Sequence, residues 1–276
     1  MAEMMRLKPE DILKRHDIAL RKKEDFRDLY DEAYEFALPQ RNLYDGYYDG
    51  KVGGAKKMNR VFDATAINST QRFANRLQSG IFPPQRKWCR LETGPDIPED
   101  RKAEASAALD IYADKMFATL KQSNFDIAMG EFLLDLAVGT AVMMVQPGDD
   151  TSPINFIPVP LFLVSYEEGA NGQVDNVYRK IRMKGESIIR QWPDAKIPPE
   201  MQRRIDQKPT DDIELLEATI YDHGRGDYCY HVIDKVSKSE LVYRRRKSSP
   251  WVISRYMKVA GEIYGRGPLM TALPDI

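Results

Sequence analysis

Asp222, His223, Cys229 and His231 are the residues of this chain whose types best suit a metal ion: a carboxylate, two imidazoles and a thiol. They fall on the two arms of a predicted hairpin. A two-residue turn at Arg225-Gly226 sets Asp222 opposite Cys229 and His223 opposite Tyr228. Opposed residues share a face and chain neighbours alternate, so His223 points away from Cys229 and His231. At best three ligands remain, and the expected role of all four is strand packing. His16 is the one other histidine, and no HExxH, CxxC or GxSxG occurs. Glu167-Glu168 and Asp149-Asp150 read as solvated acid pairs in turns. A two-metal nuclease needs carboxylates that converge in space, and no spacing here argues for that.

Tyr264-Gly265-Arg266-Gly267-Pro268 resembles a phosphate loop only superficially. It lacks the third glycine of GxGxxG, and no GK[ST] follows. It reads as a turn entering a helix, with Pro268 at the first helical position. Arg244-Arg245-Arg246-Lys247 is the sharpest charge feature. On a strand these side chains alternate between faces, so they suit a solvated strand end or an inter-subunit salt-bridge edge better than DNA. Residues 42–60 carry four glycines, tyrosines, Lys56, Lys57 and Arg60, and read as a solvated surface loop.

The elements that must position these groups change character along the chain. Residues 9–38 read as one long helix with Ile12, Ala19, Phe26, Tyr30, Ala33 and Ala37 on a stripe, only partly buried in its charged first half. Asp63 caps a second helix, whose apolar stripe is Ile67, Thr70, Phe73, Ala74, Leu77 and Ile81. Its other face is amide, hydroxyl and guanidinium, with no Lys and no carboxylate: Asn68, Gln71, Arg72, Asn75, Arg76, Gln78 and Ser79. Such groups make many directional hydrogen bonds, so Asn68, Arg72, Asn75 and Arg76 are expected to pack against the strand-rich half or a neighbouring subunit. Pro83-Pro84 stops the helix and sends Trp88 and Leu91 into a predicted strand, with Trp88 a further candidate inter-element or subunit contact. Helices follow at 99–122, with Leu109, Tyr112, Met116 and Leu120 inward, and at 125–138, stopped by Gly139.

After Thr140 the helical period gives way to strand alternation. Strands are expected in 140–148 and 153–160, then a hairpin over 162–184 turning at 169–172. Its second arm should bury Val177, Ile181 and Met183 and show a basic face of Tyr178, Lys180, Arg182 and Lys184. Short helices at 185–192 and 198–205 precede strands at 213–223, 227–236, 239–246 and 251–256. The fold class is α+β: a helical part (1–138), a mostly antiparallel β-rich part (139–262) and the start of a helix (263–276).

The totals exclude several classes. The chain has 276 residues, 42% hydrophobic and 30% charged, as in ordinary globular proteins. Lys+Arg 41 against Asp+Glu 42 leaves no basic excess, so any DNA contact is local. Cys89 and Cys229 form no disulfide framework and fit a reducing compartment. The opening MAEMMRLKPEDILKR has no apolar core of a signal peptide, and the apolar run at 132–145 is too short to span a bilayer. No cofactor is expected.

Three segments, FANRLQSGIFPPQRKWCRLE (73–92), LDLAVGTAVMMVQPGD (134–149) and IYGRGPLMTALPDI (263–276), lie in an order that resembles the head-to-tail connector, or portal, proteins of short-tailed bacteriophages. The resemblance covers essentially the whole chain. It implies a portal-wing-like fold, a non-catalytic ring of about twelve identical subunits at one capsid vertex, and double-stranded DNA passing through its channel during packaging and ejection. It further implies docking of the terminase motor and then of a tail adaptor, contacts with capsid and scaffolding proteins, and a place in the virion after assembly in the host cytoplasm, with no membrane. Neutral total charge suits such a channel, where strong phosphate contacts would hold the DNA. Subunits of this family continue past the YGRGP loop into a stem, a clip and usually a crown, so 263–276 is expected to be the start of a stem-type helix in a shortened chain. A DNA-packaging nuclease and a tail or capsid interaction module are the alternatives.

Overall fold

The computed structural model describes residues 7–41, 61–84, 86–208 and 210–276. Residues 42–60, with Lys56, Lys57 and Arg60, lie outside them. The stretch expected as one helix is two: α1 (Pro9–Glu24) and α2 (Arg27–Ala37). They break at Asp25-Phe26 because they serve different layers. Ile12 and Ala19 of α1 pack with Leu216, Ala218 and Ile233 on one face of the larger sheet. Tyr30, Ala33 and Ala37 of α2 enter the main core. One straight helix cannot reach both.

α3 (Thr65–Ile81) starts where Asp63 accepts hydrogen bonds from the Thr65 amide and hydroxyl, both at 2.6 Å. Ile67, Thr70 and Ala74 are buried, but Ile81 is 50% exposed. Phe82 carries the chain inward instead, edge-on to Trp88 at 5.0 Å and to Phe125 at 5.7 Å. The segment around Trp88 and Leu91 joins no ladder, contrary to the expected strand.

α4 (Glu99–Gln122) buries Ala113 and Phe117, while Tyr112 is 61% exposed. Its anchors lie at its C-terminal end, where Phe117 meets Trp88 at 5.4 Å and Asp114 pairs with Lys87. Those anchors rotate the inward face one position away from Tyr112. α5 (Phe125–Val138) packs Phe125, Ala128, Met129, Phe132 and Leu133 against Ala74 of α3 and the smaller sheet.

That sheet has the order β2 (Ile154–Pro158), β1 (Thr140–Pro147), β8 (Trp251–Arg255). The larger sheet runs in chain order: β3 (Val164–Glu168), β4 (Val174–Lys184), β5 (Asp212–Asp222), β6 (Asp227–Asp234), β7 (Ser239–Arg246). Every pairing is antiparallel. The helices α6 (Gly185–Gln191) and α7 (Pro199–Gln207) fill the β4–β5 connection, and α8 (Pro268–Ala272) comes last. The α+β class expected from the sequence holds.

Two local expectations need correction. Tyr178 belongs to no basic face: it is fully buried beneath α1, edge-on to His16 at 5.9 Å. The β5–β6 turn has four residues, because Asp222 pairs with Asp227. The Asp222 carbonyl accepts from the amides of Arg225 (3.1 Å) and Gly226 (2.8 Å), and its carboxylate from that of Gly224 (3.0 Å). One aspartate thus organises the wider loop, with Gly226 at φ 71°. The main core lies between the sheets. There the Trp251 indole N–H of β8 donates to the Thr219 hydroxyl of β5 at 3.0 Å.

Candidate functional site

The structure disperses the metal-like cluster. Asp222 pairs with Arg245 at 2.8 Å, and this bond holds its carboxyl below the usual carboxylate range. His223 Nε2 lies 3.3 Å from Asp175, Cys229 Sγ 3.7 Å from the Tyr243 hydroxyl, and His231 Nδ1 2.7 Å from Glu240. Among the described residues no three His, Cys, Asp or Glu side chains are placed to hold a metal. The acid pairs are likewise engaged. Asp149 accepts from the Thr151 and Ser152 amides at 2.9 and 2.8 Å. Glu167 and Glu168 lie on β3 rather than in a turn. A bulge separates them: Glu167 takes Asn176 and Tyr178, and Glu168 takes Arg255 and Lys258.

The loop Tyr264-Gly265-Arg266-Gly267-Pro268 is where distant parts of the chain meet. Its glycines serve backbone contact. A Cβ on Gly265 would lie 2.6 Å from the Gly139 carbonyl oxygen, and one on Gly267 would overlap the carbonyls of Ala137 and Val138. The loop therefore lies directly on the α5–β1 junction. The Tyr30 hydroxyl donates to Gly265 O at 2.6 Å, and the Gly265 amide donates to the Thr140 hydroxyl at 2.9 Å. With the Tyr30 proton so placed, the Thr140 hydroxyl donates to Tyr30 at 2.9 Å, closing a ring of three hydrogen bonds. Burial pushes the Tyr30 phenol up, so it stays a donor. Arg266 exchanges backbone bonds with Met257 (2.9 and 3.2 Å) and pairs with Glu262 at 2.6 Å. Tyr264 is buried against Tyr166 at 4.5 Å. Gly267 and Pro268 then open α8. This arrangement fixes the position and direction of α8, whose Leu269 and Met270 are buried in the main core, and its glycines lie against backbone rather than opening a cradle for phosphate.

The α3 face is a different kind of surface. Asn68, Arg72, Asn75 and Arg76 are exposed, so the strand-rich half of the same chain does not cover them. Trp88 sits in an aromatic cluster with Phe82, Phe117 and Phe125 and belongs to packing. The basic run splits by strand parity. Arg244 pairs with Asp194, and Arg246 lies over the Tyr230 ring at 4.9 Å. Arg245, on the other side, takes Asp222 and Asp227. Lys247 is exposed past the end of β7.

Among the buried charges that sequence reasoning missed are Lys23, Asp135 and Glu217. Lys23 donates to the Phe162 carbonyl at 2.7 Å, and burial lowers its ammonium to about 7. Asp135 of α5 pairs with Arg41 at 2.7 Å and accepts from Tyr34 at 3.2 Å; burial still raises its carboxyl. Glu217 of β5, also raised by burial, accepts from Tyr230 at 2.6 Å beside Arg179 at 3.5 Å. Each is paired or hydrogen-bonded, as buried charge must be. A charged residue inside an apolar run was the available signal for Asp135. Among the described residues no helix is long and apolar enough to cross a membrane.

This chain has relatives among bacteriophage proteins. It is 24% identical over 279 residues to a probable portal protein of Bordetella phage BPP-1, covering 92% of this chain and 47% of that protein. The chain thus spans about half the length of that relative. The sequence profile described as bacteriophage head to tail connecting protein matches residues 10–276, nearly the full length. This chain therefore belongs to the bacteriophage head to tail connecting protein family.

Proposed function

We propose that this chain is a structural, non-catalytic subunit of a phage head-to-tail connector ring of about twelve copies. The ring sits at a capsid vertex of the virion, and double-stranded DNA passes through it during packaging and ejection. The terminase motor, a tail adaptor, and the capsid and scaffolding proteins are its partners, met during assembly in the host cytoplasm. The observation that carries this reading is the family match over residues 10–276. The name of the phage relative and the clasped loop at 264–268 support it. In this reading the described residues of 1–138 and of 139–262 form the helical and β-rich parts of a wing-like body, and the loop sets the direction of 263–276 as the start of a stem-type helix.

Size-exclusion chromatography with light scattering, followed by negative-stain imaging, tests the proposal. Rings of about a dozen subunits are expected. A chain that stays monomeric at every concentration would overturn the ring. Metal-dependent plasmid cleavage that disappears in Asp222→Asn and His231→Ala would overturn the non-catalytic part.

A further inference from the structure

Two exposed surfaces of the chain are incomplete in opposite senses. On α3, Arg72 and Arg76 stand one turn apart on the exposed face. Among the described residues neither has a carboxylate partner. One turn beyond Arg76 the same face ends in Gly80, where a Cβ would meet nothing within 4 Å. On α4, residues 99–112 contain no buried side chain. That is about 21 Å of helix, a length that is marginal in water without a surface to pack on. Asp100 and Glu104 stand one turn apart there, also without an ion-pair partner among the described residues. Ala107, Ala108 and Ile111 follow, and Ile111 is 58% exposed.

We propose that α3 of one copy receives the free half of α4 of the next. Arg72 and Arg76 meet Asp100 and Glu104, and Gly80 meets Ala108, with Ile111 beside it. The spacing agrees, since both charge pairs repeat at four residues, about 6 Å along a helix. The order along each helix agrees as well: two charges, then, one turn further on, a small residue, Gly80 on α3 and Ala108 on α4. Arginine suits such a seam because it forks onto carboxylates. The contact joins two different surfaces of identical chains, so it is heterologous and propagates into a ring when the rotation closes. The inference rests on the ring reading above and names the contact that would build it. An arginine-amide face also suits DNA phosphates, but that leaves the exposed Ile111 and the unpaired acids of α4 without a role.

Charge reversal in two variants tests this contact. One carries Arg72→Glu with Arg76→Glu, the other Asp100→Lys with Glu104→Lys. All three proteins are first shown to fold alike by circular dichroism. Self-association is then measured by sedimentation, alone and mixed. Each variant alone brings like charges together, and its apparent dissociation constant should rise at least about tenfold. An equal mixture restores opposite charges at every contact of an alternating ring, so association should return to the native level. If either variant alone associates like the native chain, this seam is wrong while the ring reading stands. If both are impaired and mixing restores nothing, the pairing is wrong. If salt-sensitive binding to a DNA duplex is lost in the arginine variant while association is kept, the α3 face is a nucleic-acid contact and the proposal falls. A native chain that never associates removes the seam and the ring reading together.

Discussion

At the scale of single residues, Gly267 and Gly80 show how the same residue type means opposite things. Gly267 lies against the carbonyls of Ala137 and Val138, backbone atoms that cannot swing aside. Gly267→Ala should therefore cost about 3 kcal/mol, the upper end for overpacking a filled site, and displace α8. Gly80 is inside α3 with open space around it. Gly80→Ala should stabilise the fold by about 0.5 kcal/mol through helix propensity. Urea melts of both variants check this, and a neutral Gly267→Ala would show that the junction is slack. The turn itself was legible in the Gly-Arg-Gly-Pro pattern. Its clasp was not, because Tyr30 and Thr140 lie 235 and 125 positions from Gly265 in sequence. A spacing rule reads neighbours along the chain, and these partners become neighbours only through the core.

At the scale of elements, α1 is held on the larger sheet by an apolar stripe and by one buried ammonium. Lys23 is 5% exposed and bonded to the Phe162 carbonyl, and burial lowers it to about 7 from an unfolded value near 10.5. Between those values the unfolded chain binds a proton that the native chain has released. Stability therefore rises with pH across that window, by up to about 1.4 kcal/mol per unit, and this contribution is flat below and above it. Lys23→Met removes the titration while keeping the length of the side chain. The stability difference between native and variant should therefore shift in favour of the native chain from pH 7 towards pH 10. A difference that stays constant across this range would mean that Lys23 titrates normally. The same helix shows why the break before Phe26 escaped the sequence. Its apolar stripe continues through both helices, and only the two-layer arrangement makes the segments bury on different surfaces. By contrast, the Asp63 cap and the stop before Pro83-Pro84 were legible because the chemistry of both is local.

At the scale of the whole molecule, packing is uneven in a way that suits a subunit of a larger body. The main core joins α2, both sheets and α8, and the Trp251–Thr219 bond ties one sheet to the other. The antiparallel class was readable from strand alternation. The assignment of β8 to the smaller sheet was not, since its partner β1 lies a hundred residues earlier. The first half of α4 has no share in any core, and its backbone bonds face solvent. Stability in a folded chain is local to such regions, so opening need not involve global unfolding. Hydrogen exchange on dilute, unassembled chain should show the amides of 103–112 exchanging early, while those in the centre of β5 exchange only with global unfolding. When copies associate, protection should appear first in 103–112 and along α3, because those are the surfaces a neighbour would cover. If 103–112 is as protected as β5 in the dilute chain, the helix is stable without a partner. If association protects other surfaces and leaves 103–112 exchanging early, the ring is held elsewhere.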